Sequence, residues 1–161
     1  MSFTIARLLP FIVLATTIAC VSTPEPATPL PVLDALFGSE RVSHSFDSLA
    51  RRAALSGDSD FRVELIGRDE HHSHHVVSIR NAESPHRHDR HDLVVVLLKG
   101  HGEMLIGRET RPVGVGSILY IPRHTRHAFS NLSGEPATAY VIYTPPFDGP
   151  STAPSTTPST R

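Results

Sequence analysis

Between residues 31 and 55 the apolar side chains Leu33, Leu36 and Phe37, then Phe46, Leu49, Ala50, Ala53 and Ala54, fall three and four places apart. That is the spacing of one helix face, and it predicts one or two short N-terminal helices. Ser45 precedes the second run and Gly57 follows it, matching the chemistry of helix starts and stops. The rhythm then shortens to two: Phe61, Val63 and Leu65 alternate with Arg62 and Glu64, and Val76-Val77-Ser78-Ile79 follows a polar interruption. Residues 93–98 form an unbroken apolar run closed by Lys99-Gly100, as expected of a buried strand. Met104-Leu105-Ile106 returns after a turn containing Gly100 and Gly102, which predicts a hairpin. Residues 118–122, 128–129 and 137–144 add at least three short strands between Gly, Pro and Asn turns. Strands recurring every 8–12 residues or so predict an all-β sandwich or barrel, and a jelly roll closes its edges.

The two ends do not share this patterning. Arg7 precedes an apolar run over residues 8–18, broken by Pro10 and shorter than the roughly 20 residues a spanning helix needs. Residues 1–19 therefore read as an export signal. Thr17-Ile18-Ala19-Cys20 resembles a bacterial lipobox, with a small residue before the cysteine and Thr17 in the usual leucine's place. The resemblance implies lipidation at Cys20 and a domain tethered to the cell envelope, on the periplasmic side of a membrane, with the outer membrane favoured. Residues 20–31 are rich in proline and suit an extended tether. Residues 149–161, mostly Ser, Thr and Pro, have the composition of a disordered tail. One folded domain, residues 32–148, remains.

Composition narrows the function. A formal charge of −1 offers no excess of cations to neutralise phosphates, so nucleic acid is set aside as a partner. Cys20 is the only cysteine; no disulfide can form within the chain, and lipidation of Cys20 would leave no thiol nucleophile. Walker loop, dinucleotide fingerprint, nucleophile elbow and His-Glu-x-x-His pair are all missing. Histidine is abundant, with 11 of 161 residues, and its placement carries the chemistry.

In Ser84-Pro85-His86-Arg87-His88-Asp89-Arg90-His91-Asp92 the first two histidines are two apart, a spacing that puts both imidazoles on one face of a strand. About forty residues on, Ile121-Pro122-Arg123-His124-Thr125-Arg126-His127 supplies another histidine. Imidazole nitrogen suits Fe, Mn, Zn, Ni or Cu, and three protein ligands leave a coordination position open. The two stretches, covering residues 84–131, resemble the paired motifs of the cupin superfamily. The first is a histidine pair, an acidic residue and an apolar strand ending at Gly100; the second holds Gly116, Pro122, His127 and Asn131 at the motif's places. The resemblance implies one divalent transition metal held by His86, His88 and His127 inside a β-barrel. It implies Asp92 as the acidic ligand, with His91 competing for that position, and it leaves a homodimer open. One departure stands out: His124 occupies the turn position after the proline where the family places glycine.

Three functions stay open on these residues. The first is a binding barrel holding a metal and a small molecule. The second is a metal-dependent dioxygenase or isomerase, with no catalytic residue singled out. The third is envelope metal buffering that also uses His71, His72, His74 and His75, a tract that reads equally as a solvated loop or strand end. The pocket lining discriminates between chemistries. Walls of Val94, Val96, Leu98, Ile106 and Tyr120 favour an apolar substrate, whereas a mouth of His124, Arg87, Arg90, Arg123 and Arg126 favours an anion.

Overall fold

A computed structural model describes residues 32–148. The signal segment, Cys20, the tether and the Ser/Thr/Pro tail lie outside the described residues. The chain opens with a hairpin of β1 (Val32–Phe37) and β2 (Glu40–Ser45), followed by helix α1 (Phe46–Arg52). Strands β3 (Phe61–Arg68), β4 (Ser73–Ile79), β5 (Asp92–Lys99), β6 (His101–Ile106), β7 (Glu109–Gly114), β8 (Ile118–Ile121), β9 (His127–Asn131) and β10 (Ala137–Thr144) complete it. They form an antiparallel five-stranded sheet in the order β3-β4-β10-β5-β8 and an antiparallel three-stranded sheet in the order β7-β6-β9. The all-β jelly roll expected from the alternation is what the chain adopts, with one helix.

The expected first helix is instead the β1–β2 hairpin. Leu33, Ala35 and Phe37 turn inward and Val32, Asp34 and Leu36 outward, a period of two. Counting Leu33, Leu36 and Phe37 as one helical face passed over Ala35, and over the two-residue Gly38-Ser39 turn between Phe37 and its partner Glu40. Gly38 has φ 61°, the left-handed conformation such hairpin turns favour. Phe37 then seats against Gly67, at the irregularity between Leu65 and Gly67 in the β3–β4 pairing; a Cβ on Gly67 would fall 2.2 Å from the Phe37 ring. The second helix is where the pattern puts it, with the Ser45 hydroxyl accepting from the Ser48 amide at 3.2 Å. It ends at Arg52, ahead of Gly57.

Helix α1 covers the outer face of the five-stranded sheet. Leu49 and Ala53 are fully buried there with Val76 and Ile66, against the partly buried Leu98 and Tyr140. The inner face carries the larger core: Val77 and Ile79 of β4, Leu93 and Leu97 of β5, Met104, Ile121, Phe129, and Ala139, Val141 and Tyr143 of β10. With both faces covered, β4 and β10 are buried along most of their length. Alternation sends odd-numbered residues of β4, β5 and β10 into the barrel and even-numbered ones toward the helix.

Candidate metal centre

His86 lies in the segment between β4 and β5, and His127 opens β9. They form an isolated antiparallel bridge: the His86 amide donates to the His127 carbonyl at 3.0 Å, and the His127 amide to the His86 carbonyl at 2.8 Å. Residues directly opposite in an antiparallel pair project side chains to the same face. The His124 amide donates to the His88 carbonyl at 2.8 Å, so the segment is sewn to the β8–β9 turn at two points. His88, two places from His86, shares its face. The three rings converge, with centroids 4.3 Å apart for His86–His127, 5.1 Å for His86–His88 and 5.3 Å for His88–His127.

One potential ligand atom from each lies within 4.8 Å of the other two, close enough for a single ion to reach all three. Tautomers can be read from hydrogen bonds. His86 Nδ1 lies 3.0 Å from the Ser84 carbonyl and His127 Nδ1 lies 2.9 Å from the Thr125 carbonyl. A carbonyl only accepts, so each Nδ1 carries a proton, which in the neutral ring leaves the Nε2 lone pair for a metal. Carbonyl partners of this kind fix the ring orientation of metal-binding imidazoles. His88 Nδ1 is buried with no hydrogen-bond partner in the protein. Burial pushes His88 and His127 down to about 4, and for His88 the neighbouring imidazoles push the same way. At neutral pH both rings are therefore neutral, the form that ligates. The donor set, its tautomers and its orphaned nitrogen fit a divalent ion.

The structure does not bring Asp92 to this group. Its carboxylate accepts from the Arg123 amide at 2.8 Å and from the Arg123 guanidinium at 3.1 and 2.8 Å. These bonds hold the Asp92 carboxyl down at about 2. Asp92 fastens the start of β5 to the turn after β8, so its part is structural. His91 is buried but donates from Nδ1 to the Pro145 carbonyl at 2.9 Å, and it is not a member of the group. His124 has φ 65°, which explains glycine at this place in the resembled motif; its imidazole is exposed, beside Asp89 at 3.3 Å.

A cavity of about 260 Å³ opens beside the three imidazoles, inside the barrel. Its β5 wall is Leu93, Val95 and Leu97, the opposite face to the expected Val94, Val96 and Leu98. The continuous apolar run hid which parity faces inward, and the β5–β10 and β5–β8 pairings decide it. Tyr120 is exposed, and Leu119 and Ile121 line the cavity in its place. None of the four arginines lines it; Arg87 pairs with Asp89 at 3.0 Å, Arg90 with Asp148 at 3.9 Å and Arg123 with Asp92. The wall is thus apolar, broken by the imidazoles, the Tyr143 hydroxyl and a carboxyl that the motif reading missed, Glu83. The Glu83 carboxyl is pushed up by burial, against the pull of His86 and of the Phe129 amide.

The other histidine tract disperses. His71 is exposed beside Glu70, His72 lies 3.4 Å from Asp69, and His74 turns outward to the Tyr140 hydroxyl. His75 turns inward, its Nε2 2.9 Å from the Ser73 hydroxyl. Alternation along β4 splits the tract between two faces, and among the described residues only His86, His88 and His127 are grouped closely enough to share an ion.

Comparison with known proteins bears on the same region. Residues 74–143 match the family model described as the cupin domain. The fold is also similar to the cupin domain of Schizosaccharomyces pombe Cnp3, with a TM-score of 0.53 and 10% identity, over 74% of this chain and 89% of that one. The described domain has the cupin fold. A second similar structure is that of KdgF from Halomonas sp., with a TM-score of 0.53 and 21% identity, covering 58% of this chain and 88% of KdgF. An uncharacterised protein of Aquifex aeolicus (strain VF5) is 35% identical over 77 residues, 48% of this chain. This chain spans 63% of that relative's length, less than two thirds. The cupin match contains His86, His88 and His127 along with strands β5 to β9.

Proposed function

We propose that this chain is a metal-binding cupin-domain protein that holds one divalent transition ion through His86, His88 and His127 and takes a small molecule into the adjoining cavity. The observation that carries the reading is the tautomer pattern: two imidazoles locked by backbone carbonyls with Nε2 free, and a third with a buried nitrogen that the protein leaves unmatched. A bound ion would supply Lewis-acid or redox chemistry at its open position. The chain's own residues contribute three imidazole ligands and a largely apolar cavity wall with no arginine in it. Elemental analysis of protein purified without a histidine tag tests this. About one transition ion per chain, absent from the triple variant His86→Ala/His88→Ala/His127→Ala, is the expected result. Equal metal in both proteins, or none in either, overturns it.

The apolar cavity favours a second reading, metal-dependent oxidation or isomerisation of a small apolar molecule. Turnover by the metal-loaded protein that vanishes in the triple variant would establish it. We also propose export and lipid anchoring at Cys20, on the signal-like segment and lipobox-like residues 17–20. Membrane fractionation of the full chain beside Cys20→Ser tests that proposal: a wild type that partitions like the variant overturns it.

A further inference from the structure

Glu83 is a carboxylic acid set into an otherwise apolar cavity wall, three residues before His86. Its backbone is fixed on both sides. Asn81 accepts from the Asn131 amide at 2.7 Å, Ala82 bridges Ser130, and the Glu83 amide donates to the Phe129 carbonyl at 2.9 Å. The side chain is fixed as well: Oε2 accepts from the Phe129 amide at 3.1 Å. That bond occupies one carboxyl oxygen. The other makes no hydrogen bond among the described residues and faces a cavity lined by Val63, Met104, Val113 and Phe129. Glu83 is partly buried, so that oxygen sits in an apolar wall without a protein partner and is open to a donor from a ligand. The Tyr143 hydroxyl, deeply buried and electrostatically coupled to Glu83, makes no hydrogen bond among the described residues either. Two polar oxygens and the imidazole triad therefore look into one small apolar volume.

We propose that Glu83 is the specificity-determining residue of the cavity: it selects a small, largely apolar molecule bearing a hydroxyl and holds that hydroxyl on its free carboxyl oxygen, beside His86, His88 and His127. A hydroxyl fits because it both donates and accepts, so it satisfies either form of the carboxyl. In the metal-free barrel an anionic ligand fits less well, since no arginine or lysine lines the cavity to meet its charge. The inference rests on the small-molecule reading above and does not need the ion.

The test uses EDTA-treated chain and two probes of equal shape, p-cresol and p-xylene, titrated by amide chemical shifts. The wild type is expected to bind p-cresol roughly tenfold or more tightly, the worth of one hydrogen bond to a buried carboxyl. Glu83→Met is expected to reduce that preference below about threefold, and Tyr143→Phe to preserve it. Glu83→Gln retains an acceptor for the Phe129 amide and is expected to keep part of the preference. Nuclear Overhauser contacts from p-cresol to Glu83 in the wild type give a readout independent of whether Glu83→Met folds. Equal binding of the two probes overturns the inference. So does a preference that survives Glu83→Met, or one that appears only after metal is added. Failure of the metal reading appears separately, as metal-free protein in elemental analysis with the hydroxyl preference intact.

Discussion

His86 and His127 exchange two backbone hydrogen bonds across a separation of forty-one residues, so the candidate metal centre is built from backbone pairing before any ion is considered. The bridge aligns two Cβ atoms on one face, and the carbonyls of Ser84 and Thr125, each two residues before its histidine, fix the rings. Replacing either histidine by alanine leaves the bridge and removes one ligand. Each of His86→Ala and His127→Ala is therefore expected to fold normally and to lose at least about tenfold in metal affinity. Equilibrium dialysis against a competing chelator measures that loss.

Asp92→Asn separates the structural role of Asp92 from ligation. The variant loses its charge against Arg123 and loosens the joint between β5 and the β8–β9 turn. A small loss of thermal stability with unchanged metal stoichiometry is expected. Loss of the ion with the fold intact would restore Asp92 to the centre.

Acid is expected to destabilise the metal-free domain. Folded His75, His88 and His127 are held at about 4, below the ordinary value of 6.5. As pH falls from about 6.5 to 4 the unfolded chain takes up protons that the folded chain refuses, so stability declines with acid and levels off below 4. Each unit of difference is worth up to about 1.4 kcal/mol per residue. Denaturant midpoints at pH 7.5 and 5.0 on EDTA-treated protein measure the slope; equal midpoints would mean that these rings are protonated in the folded state.

Leu49→Ala tests the helix as a cover rather than part of the site. Leu49 is fully buried against Val76 on the outer sheet face, so the truncation is expected to cost about 2–5 kcal/mol. Metal stoichiometry at a temperature where the variant is folded should not change, because the triad lies on the other side of β4.

Gly102 permits the close approach of β6 to β9. A Cβ there would sit 2.1 Å from the Ser130 carbonyl oxygen and 2.8 Å from the Phe129 ring, whereas one on Gly114 would meet nothing within 4 Å. Gly102→Ala is expected to lower the melting temperature sharply and Gly114→Ala to leave it nearly unchanged. Because β9 begins at His127, partial unfolding of Gly102→Ala should release metal as well.

Period-two alternation in β3, the apolar run of β5 and the regular turns made the barrel legible, because those signals are local. The three histidines were legible for a similar reason: strand geometry puts residues two apart on one face, and the resembled motifs supply the third. What stayed hidden needed neighbours. The β1–β2 hairpin was masked because Leu33, Leu36 and Phe37 satisfy a helical count as readily as a strand count. The cavity parity of β5 was masked because all six residues 93–98 are apolar and only pairing with β10 and β8 turns one set inward. Glu83 stands outside any motif, and only the clamp onto Phe129 directs it into the cavity.

The sequence by itself determined an all-β fold and the capped helix at Ser45, which follow from spacing along the chain, and the resemblance to the cupin motifs joined His127 to the His86–His88 pair as one candidate site. The tertiary structure alone decided that Asp92 serves Arg123, that the tract from His71 to His75 divides between two faces, and that Glu83 shares a cavity with the triad. Those outcomes depend on which residues strand pairing brings opposite one another, and on what burial leaves without a partner; neither is a property of separation along the chain.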